Sequence, residues 1–127
     1  MDEQELRDRT KAFALRVMKL AEAMPKTQAS KIVTNQLLRC ATSVGANYRA
    51  ACRGRSKADF VSKIGIVEEE ADESAYWLEL IMENNLLNQK KVQPLHREAE
   101  ELRKIFTSSR LTASRSRNQK SSTKNQK

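Results

Sequence analysis

Apolar residues recur along this chain at alternating spacings of four and three, and only an α-helix puts residues so spaced on one face. In the first stretch, about Glu3 to Met24, the series is Leu6, Thr10, Phe13, Val17, Leu20 and Met24, an a/d seam with one polar member. Asp2, Glu3 and Glu5 put negative charge where a helix dipole favours it, and Pro25 forbids continuation at the other end. The alternation returns from about Thr27 to Arg53 as Val33, Leu37, Cys40, Val44, Asn47 and Ala51. Asn47, on that seam, is read as a buried polar group that fixes register. Gly54 is read as the left-handed stop of this helix, since glycine takes positive φ without steric penalty.

Ser56 then serves as an N-cap, with Asp59 three residues on as a variant of the capping box. The third helix, about Lys57 to Asn85, has the most regular seam: Phe60, Ile64, Val67, Ala71, Ser74, Leu78 and Ile81. Asn88 suits the N-cap of a fourth, where Val92, Leu95, Ala99, Leu102 and Phe106 continue the pattern and Pro94 is tolerated in the first turn. Short connections make successive helices antiparallel neighbours. The expectation is therefore an all-α, up-down-up-down four-helix bundle over residues 1–106. Past Phe106 the period stops. Residues 107–127 are Ser, Thr, Asn, Gln and bases around one leucine, and are expected to form a disordered basic tail.

At 127 residues the chain is one domain, and 3 glycines, 2 prolines and 5% aromatics are too few for a many-turned β architecture. No apolar run approaches the ~18 residues of a membrane span, and the acidic start Met1-Asp2-Glu3-Gln4-Glu5 is unlike a secretory leader. A cytoplasmic location without membrane contact is expected. Cys40 and Cys52 fall in one helix, ~18 Å apart along its axis, too far for a mutual disulfide, and are read as small buried hydrophobes.

The net charge of +8 has a location. No acid follows Glu101, whereas Arg103, Lys104, Arg110, Arg115, Arg117, Lys120, Lys124 and Lys127 do, so the bundle is neutral and the C-terminal segment holds the excess. The neutral part is polarised. Between Thr27 and Ala58 there is no acid, while Lys31, Arg39, Arg49, Arg53, Arg55 and Lys57 are basic. Lys31, Asn35, Arg39, Thr42, Ala46, Arg49 and Arg53 share a sector of roughly 80° opposite the seam, a stripe suited to phosphates. Helix 3 is the acidic complement, with Asp59, Glu68, Glu69, Glu70, Asp72, Glu73, Glu79 and Glu83 against Lys63. Pairing of those two helices, within a chain or between subunits, competes with nucleic-acid contact as the use of the stripe.

Catalytic and metal chemistry find little support. Di-iron bundles need Glu-x-x-His pairs, but the single histidine, His96, has Gln93 three residues before it. No glycine-rich phosphate loop occurs, and His96 has no serine or cysteine that spacing brings near. Neither an enzyme nor a cofactor is expected. Ile66, Trp77 and Leu80 lie beside the helix 3 seam, near Glu70 and Glu73, and such an apolar flank suggests an oligomer interface. The row Ala41, Gly45, Tyr48, Cys52 is small at its start and allows a close helix approach.

The run Gln36-Leu37-Leu38-Arg39-Cys40-Ala41-Thr42-Ser43-Val44-Gly45-Ala46-Asn47, followed by Arg55-Ser56-Lys57-Ala58-Asp59-Phe60, resembles the four-helix-bundle proteins encoded in 23S ribosomal RNA intervening sequences. Their pattern is Q-L-x-R-x-A-x-S-[IV]-x-x-N, then R-S-x-x-[DE]-F, and the likeness covers about residues 10–87. The resemblance implies a cytosolic bundle assembling as a ring-like homo-oligomer such as a pentamer. It also implies kinship with the accessory proteins of diversity-generating retroelements, which bind nucleic acid and a reverse transcriptase. No catalytic residues carry over; Arg39, Ser43, Asn47 and Arg55-Ser56 do as motif positions, with Asp59 and Phe60 beside them. Where the family continues with a hydrophobic residue and Ala-Glu-Gly, this chain has Tyr48-Arg49-Ala50-Ala51, losing an acid and a flexible point.

The expected function is a non-enzymatic, homo-oligomeric bundle that binds RNA or DNA through the helix 2 face and the tail. The alternative is a protein-interaction adaptor, for example of a reverse transcriptase, whose charged faces serve subunit and partner contacts.

Overall fold

The structure, a computed structural model, describes the backbone of residues 1–125 and the side chains of residues 1–116. It contains α1 (Glu3–Glu22), α2 (Gln28–Cys52), α3 (Lys57–Glu83) and α4 (Gln89–Asn125), with no strand among the described residues. Each helix touches its two neighbours in the order α1, α2, α3, α4 and back to α1. No diagonal pair meets among the described residues, so the four form a closed square around one core. No helix among the described residues is long and apolar enough to cross a membrane.

Local chemistry sets the helix ends. Asp2 accepts from the Glu5 amide at 2.8 Å and Thr27 from that of Ser30 at 3.2 Å. At the start of α3, Ser56 accepts from the Asp59 amide at 3.1 Å while Asp59 Oδ2 accepts from the Arg55 amide at 3.2 Å. The box is thus closed one residue upstream of its usual partner. Gly54 has no positive φ, contrary to its reading as a left-handed stop. What it provides is space: a Cβ there would sit 3.0 Å from the Ala51 carbonyl oxygen and 3.2 Å from Asp59 Oδ2. The left-handed position belongs to Asn85, at φ 52°. There the Leu86 amide donates to Ile81 O at 3.0 Å and the Asn85 amide to Met82 O at 3.2 Å, the paired closure of a Schellman turn.

The seams meet as read except at Asn47 and Phe60, which are half-buried. Leu6, Phe13, Val17 and Leu20 join Leu37, Cys40 and Val44, with Ile64, Val67, Leu78 and Ile81 and then Val92, Leu102 and Phe106 completing the core. Thr10 is buried with its hydroxyl donating to Leu6 O at 2.9 Å, and it lies where Gly45 lets α1 and α2 approach: a Cβ on Gly45 would be 3.3 Å from Thr10 Oγ1. Ser74 donates to Glu70 O at 2.8 Å and lies 3.3 Å from Cys40 Sγ. Both cysteines are free, Cys40 buried and Cys52 half-buried. Arg9 closes the square with two 2.7 Å bonds to Glu98 of α4.

Two expectations move. Asn47 is half-buried rather than a core residue, and its amide donates to Ser43 O at 2.9 Å within its own helix. Tyr48 takes the core position instead, its ring 5.3 Å from that of Phe106. A straight helix drifts ~20° per heptad against a 3.5-residue repeat, and along α2 that drift turns Asn47 out and Tyr48 in. The boundary drawn at residue 107 also shifts: α4 runs through it unbroken to Asn125. Arg110 Nε reaches Glu68 at 3.2 Å, its stem lying on Gly65, and Lys57 Nζ donates to Ser116 Oγ at 2.8 Å. Residues 107–116 are therefore docked on α3. The expectation for the side chains of residues 117–127, and for the backbone at Gln126 and Lys127, lies outside the described residues.

Candidate nucleic-acid interface

The α2 stripe divides once its neighbours are in place. All six bases, Lys31, Arg39, Arg49, Arg53, Arg55 and Lys57, are exposed at the surface. Arg39 is nonetheless engaged: its guanidinium bonds Glu73, lies 3.4 Å from Glu70 Oε2, and donates through Nε to Gln36 Oε1 at 3.4 Å. Trp77 Nε1 donates to the same Glu73 carboxylate at 3.3 Å. The bond from Arg39 holds the Glu73 carboxyl below its ordinary range, whereas burial pushes that of Glu70 up despite the nearby guanidinium. Pairing between α2 and α3 thus occurs within the chain at this residue.

The stripe's opposite edge lies toward α1. Arg49, Thr42, Gly45 and Ala46 form one side of a groove of about 350 Å³ between α1 and α2, and Arg7, Thr10, Lys11 and Ala14 form the other. Its acid, Asp8, is held by Gln4 Nε2 at 3.0 Å, and Arg7 has only a 3.8 Å approach from Glu3 Oε2. Arg7 Nε is buried without a hydrogen-bond partner. Lys11 and Arg49 have no ion-pair partner among the described residues. Small residues on the floor and cations on both walls leave a trough that an anionic backbone can enter.

At the end of α2 the chain turns through Arg53, Gly54 and Arg55, and Lys57 binds Ser116. The α4 segment with Arg110 and Arg115 therefore lies at the same end as the last α2 bases. Arg110 is occupied by Glu68; Arg115 is exposed. Sequence reasoning missed Arg7 and Lys11. Their four-residue spacing on α1 was visible, but not that Gly45 draws α1 close enough to make them the second wall.

The residues read as an oligomer interface gather on one side of α3. Ile66 is 42% exposed, and Glu70, Glu73, Trp77 and Leu80 are half-buried. Their spacings are four, three, four and three, so they form a second seam alongside the one that faces the core. Tyr76, missed from sequence, is 53% exposed and stands edge-on to Trp77 with ring centroids 5.1 Å apart. Ser56 and Asp59 cap α3 and half-buried Phe60 packs against the core; Ser43 accepts from Asn47. Among the described residues, Glu79, His96 and Glu100 are a group with metal-ligand chemistry, and they lie on α3 and α4, away from the groove.

Residues 2–108 match the model of a family described as the 23S rRNA-intervening sequence protein. The fold is similar to a crystal structure of a protein of unknown function from the S23 ribosomal protein family of Bacteroides thetaiotaomicron. The two are 31% identical, with a TM-score of 0.79 over 87% of this chain and 98% of that one. No curated protein matches the chain.

Proposed function

The chain belongs to the 23S rRNA-intervening sequence protein family, and within it we propose a cytoplasmic, non-enzymatic, self-associating bundle that binds RNA or DNA through the α1–α2 groove and the adjoining basic end. The observation that supports this reading most is the contrast in pairing. Arg39 on the α3 side is engaged by two carboxylates, while Lys11 and Arg49 stand on opposite walls of a groove and neither is engaged by a carboxylate among the described residues. Arg53, Arg55 and Arg115 continue that cationic surface, and phosphates are the ligand whose spacing and charge it suits. What supports self-association is the second seam on α3 with Tyr76 beside it, where Ile66, Tyr76, Trp77 and Leu80 keep apolar surface in water unless another helix covers it.

The test is fluorescence anisotropy with single- and double-stranded RNA and DNA across a salt series. Neutralising 6–10 phosphates makes affinity fall by roughly three to five decades between about 50 and 200 mM salt. Absence of binding at low salt refutes the reading. The same α3 seam favours the adaptor alternative, in which a partner such as a reverse transcriptase takes the place of a second copy. Light scattering on Ile66→Ser with Tyr76→Ser distinguishes them: a self-associating chain loses mass, and an adaptor that is already monomeric does not.

A further inference from the structure

His96 stands four residues before Glu100 on α4, so both side chains project from one face of that helix, and α3 presents Glu79 opposite them. His96 Nε2 lies 3.2 Å from Glu79 Oε2, and one ligand atom from each of the three lies within 4.8 Å of the others. A tetrahedral zinc with bonds of about 2.0–2.2 Å to nitrogen and oxygen separates its ligand atoms by about 3.3 Å. The histidine–glutamate gap is already of that size. Glu100, whose ligand atom lies within 4.8 Å of the other two, needs only a side-chain adjustment to complete the set.

We propose that Glu79, His96 and Glu100 form a site for a divalent transition metal, with zinc the best fit, that ties α3 to α4. Two carboxylates and a neutral imidazole offer the mixed nitrogen and oxygen set that zinc accepts, and their two negative charges cancel those of the ion. The side chains are 48%, 24% and 34% exposed for Glu79, His96 and Glu100, so the metal has an entry path and water completes its coordination. One cation competes: Arg103 Nη2 is 3.5 Å from Glu100 Oε2. Arg103 also approaches Asp72 Oδ1 at 3.9 Å and keeps that partner when Glu100 turns to the metal. Hard cations such as magnesium, which demand an octahedron of oxygens, fit the imidazole poorly.

The histidine is unique in the chain, so one ring reports on the site directly. Untagged protein is titrated with zinc chloride in a non-chelating buffer by calorimetry, and the His96 ring nitrogens are followed by NMR. Expected are a single saturable site, displacement of the ring resonances, and loss of at least ~10-fold in affinity for either His96→Gln or Glu79→Gln, ~1.4 kcal/mol each. Cys52→Ser leaves binding unchanged. The proposal is overturned by no binding up to roughly 1 mM zinc, by ring nitrogens that stay put at saturation, or by binding that depends on Cys52 and survives His96→Gln. None of these outcomes bears on nucleic-acid affinity, so the two readings fail separately.

Discussion

The two sides of α2 carry the same kind of residue and treat it differently. Toward α3, Arg39 is bonded to Glu73 and Glu70, and further round the square α4 answers the same acidic helix with Arg103 at Asp72 and Arg110 at Glu68. Toward α1, Arg49 stands across from Lys11 and Arg7 on a groove whose acid is already held by Gln4. A paired charge at a helix contact orients the packing and adds little free energy when exposed. An unpaired cation beside other cations raises the local potential and remains available to an anion. Glu68, Glu70, Asp72 and Glu73 of α3 are thus met by cations from neighbouring helices, and the basic face of the α1–α2 side is the one turned outward.

The largest expected effect breaks this contrast on its outward side. Replacing Lys11, Arg49 and Arg53 together with glutamine should lower RNA affinity on the order of 100-fold at low salt, and reduce the salt-dependence slope by about 3, one for each phosphate that no longer meets a cation. The melting temperature should stay put, because none of the three has an ion-pair partner among the described residues. Anisotropy and thermal melts on the same preparation decide it. An unchanged slope places the binding surface elsewhere.

A smaller effect belongs to a paired charge away from α2. Glu98 is 16% exposed and takes two 2.7 Å bonds from Arg9, the ion pair that joins α1 to α4. The bond also raises the pKa of the Arg9 guanidinium, as charge-assisted pairing does. Glu98→Gln keeps the shape and removes the charge, and should cost about 1–3 kcal/mol in urea unfolding with RNA affinity unaltered. A loss of affinity without loss of stability would mean that this pair serves binding rather than packing.

Much of this was legible in the chain. The α1 and α4 seams, Leu6 to Met24 and Val92 to Phe106, are buried at every position named from spacing, because a helix that packs on two neighbours must bury whatever repeats at four and three. Asn47 escaped that logic through helical drift over the 25 residues of α2. Residues 107–116 escaped it for a different reason: they are docked by polar contacts, Arg110 to Glu68 and Ser116 to Lys57, which leave no apolar period to read. The candidate site was half legible. Arg39 and Arg49 are alike in sequence, and only the neighbouring helix decides that one is paired with acids and the other set among bases. In the same way His96 with Glu100 was visible at its spacing, but Glu79 enters from another helix.

The smallest effect tests Arg39 itself, through pH. The Glu73 carboxyl is held below its ordinary value of 4.5 by the bond from Arg39. A depressed carboxyl contributes stability above its unfolded value, and that contribution is lost as pH falls through the folded value. Glu70 works in the opposite sense: burial raises its pKa, and Arg39 restrains the rise. Removing the guanidinium by Arg39→Gln therefore harms both carboxylates in their charged forms and neither in its neutral form. The variant should melt below the wild type at pH 7, and the difference should shrink as pH falls, first through the raised pKa of Glu70 and then through the lowered pKa of Glu73, until both acids are protonated. At half exposure the pair is screened, so the same difference should narrow in high salt at pH 7. Thermal melts of both proteins from pH 7 to pH 3 settle the point: a gap independent of pH would mean that Arg39 stabilises α2 against α3 through its stem rather than through its charge.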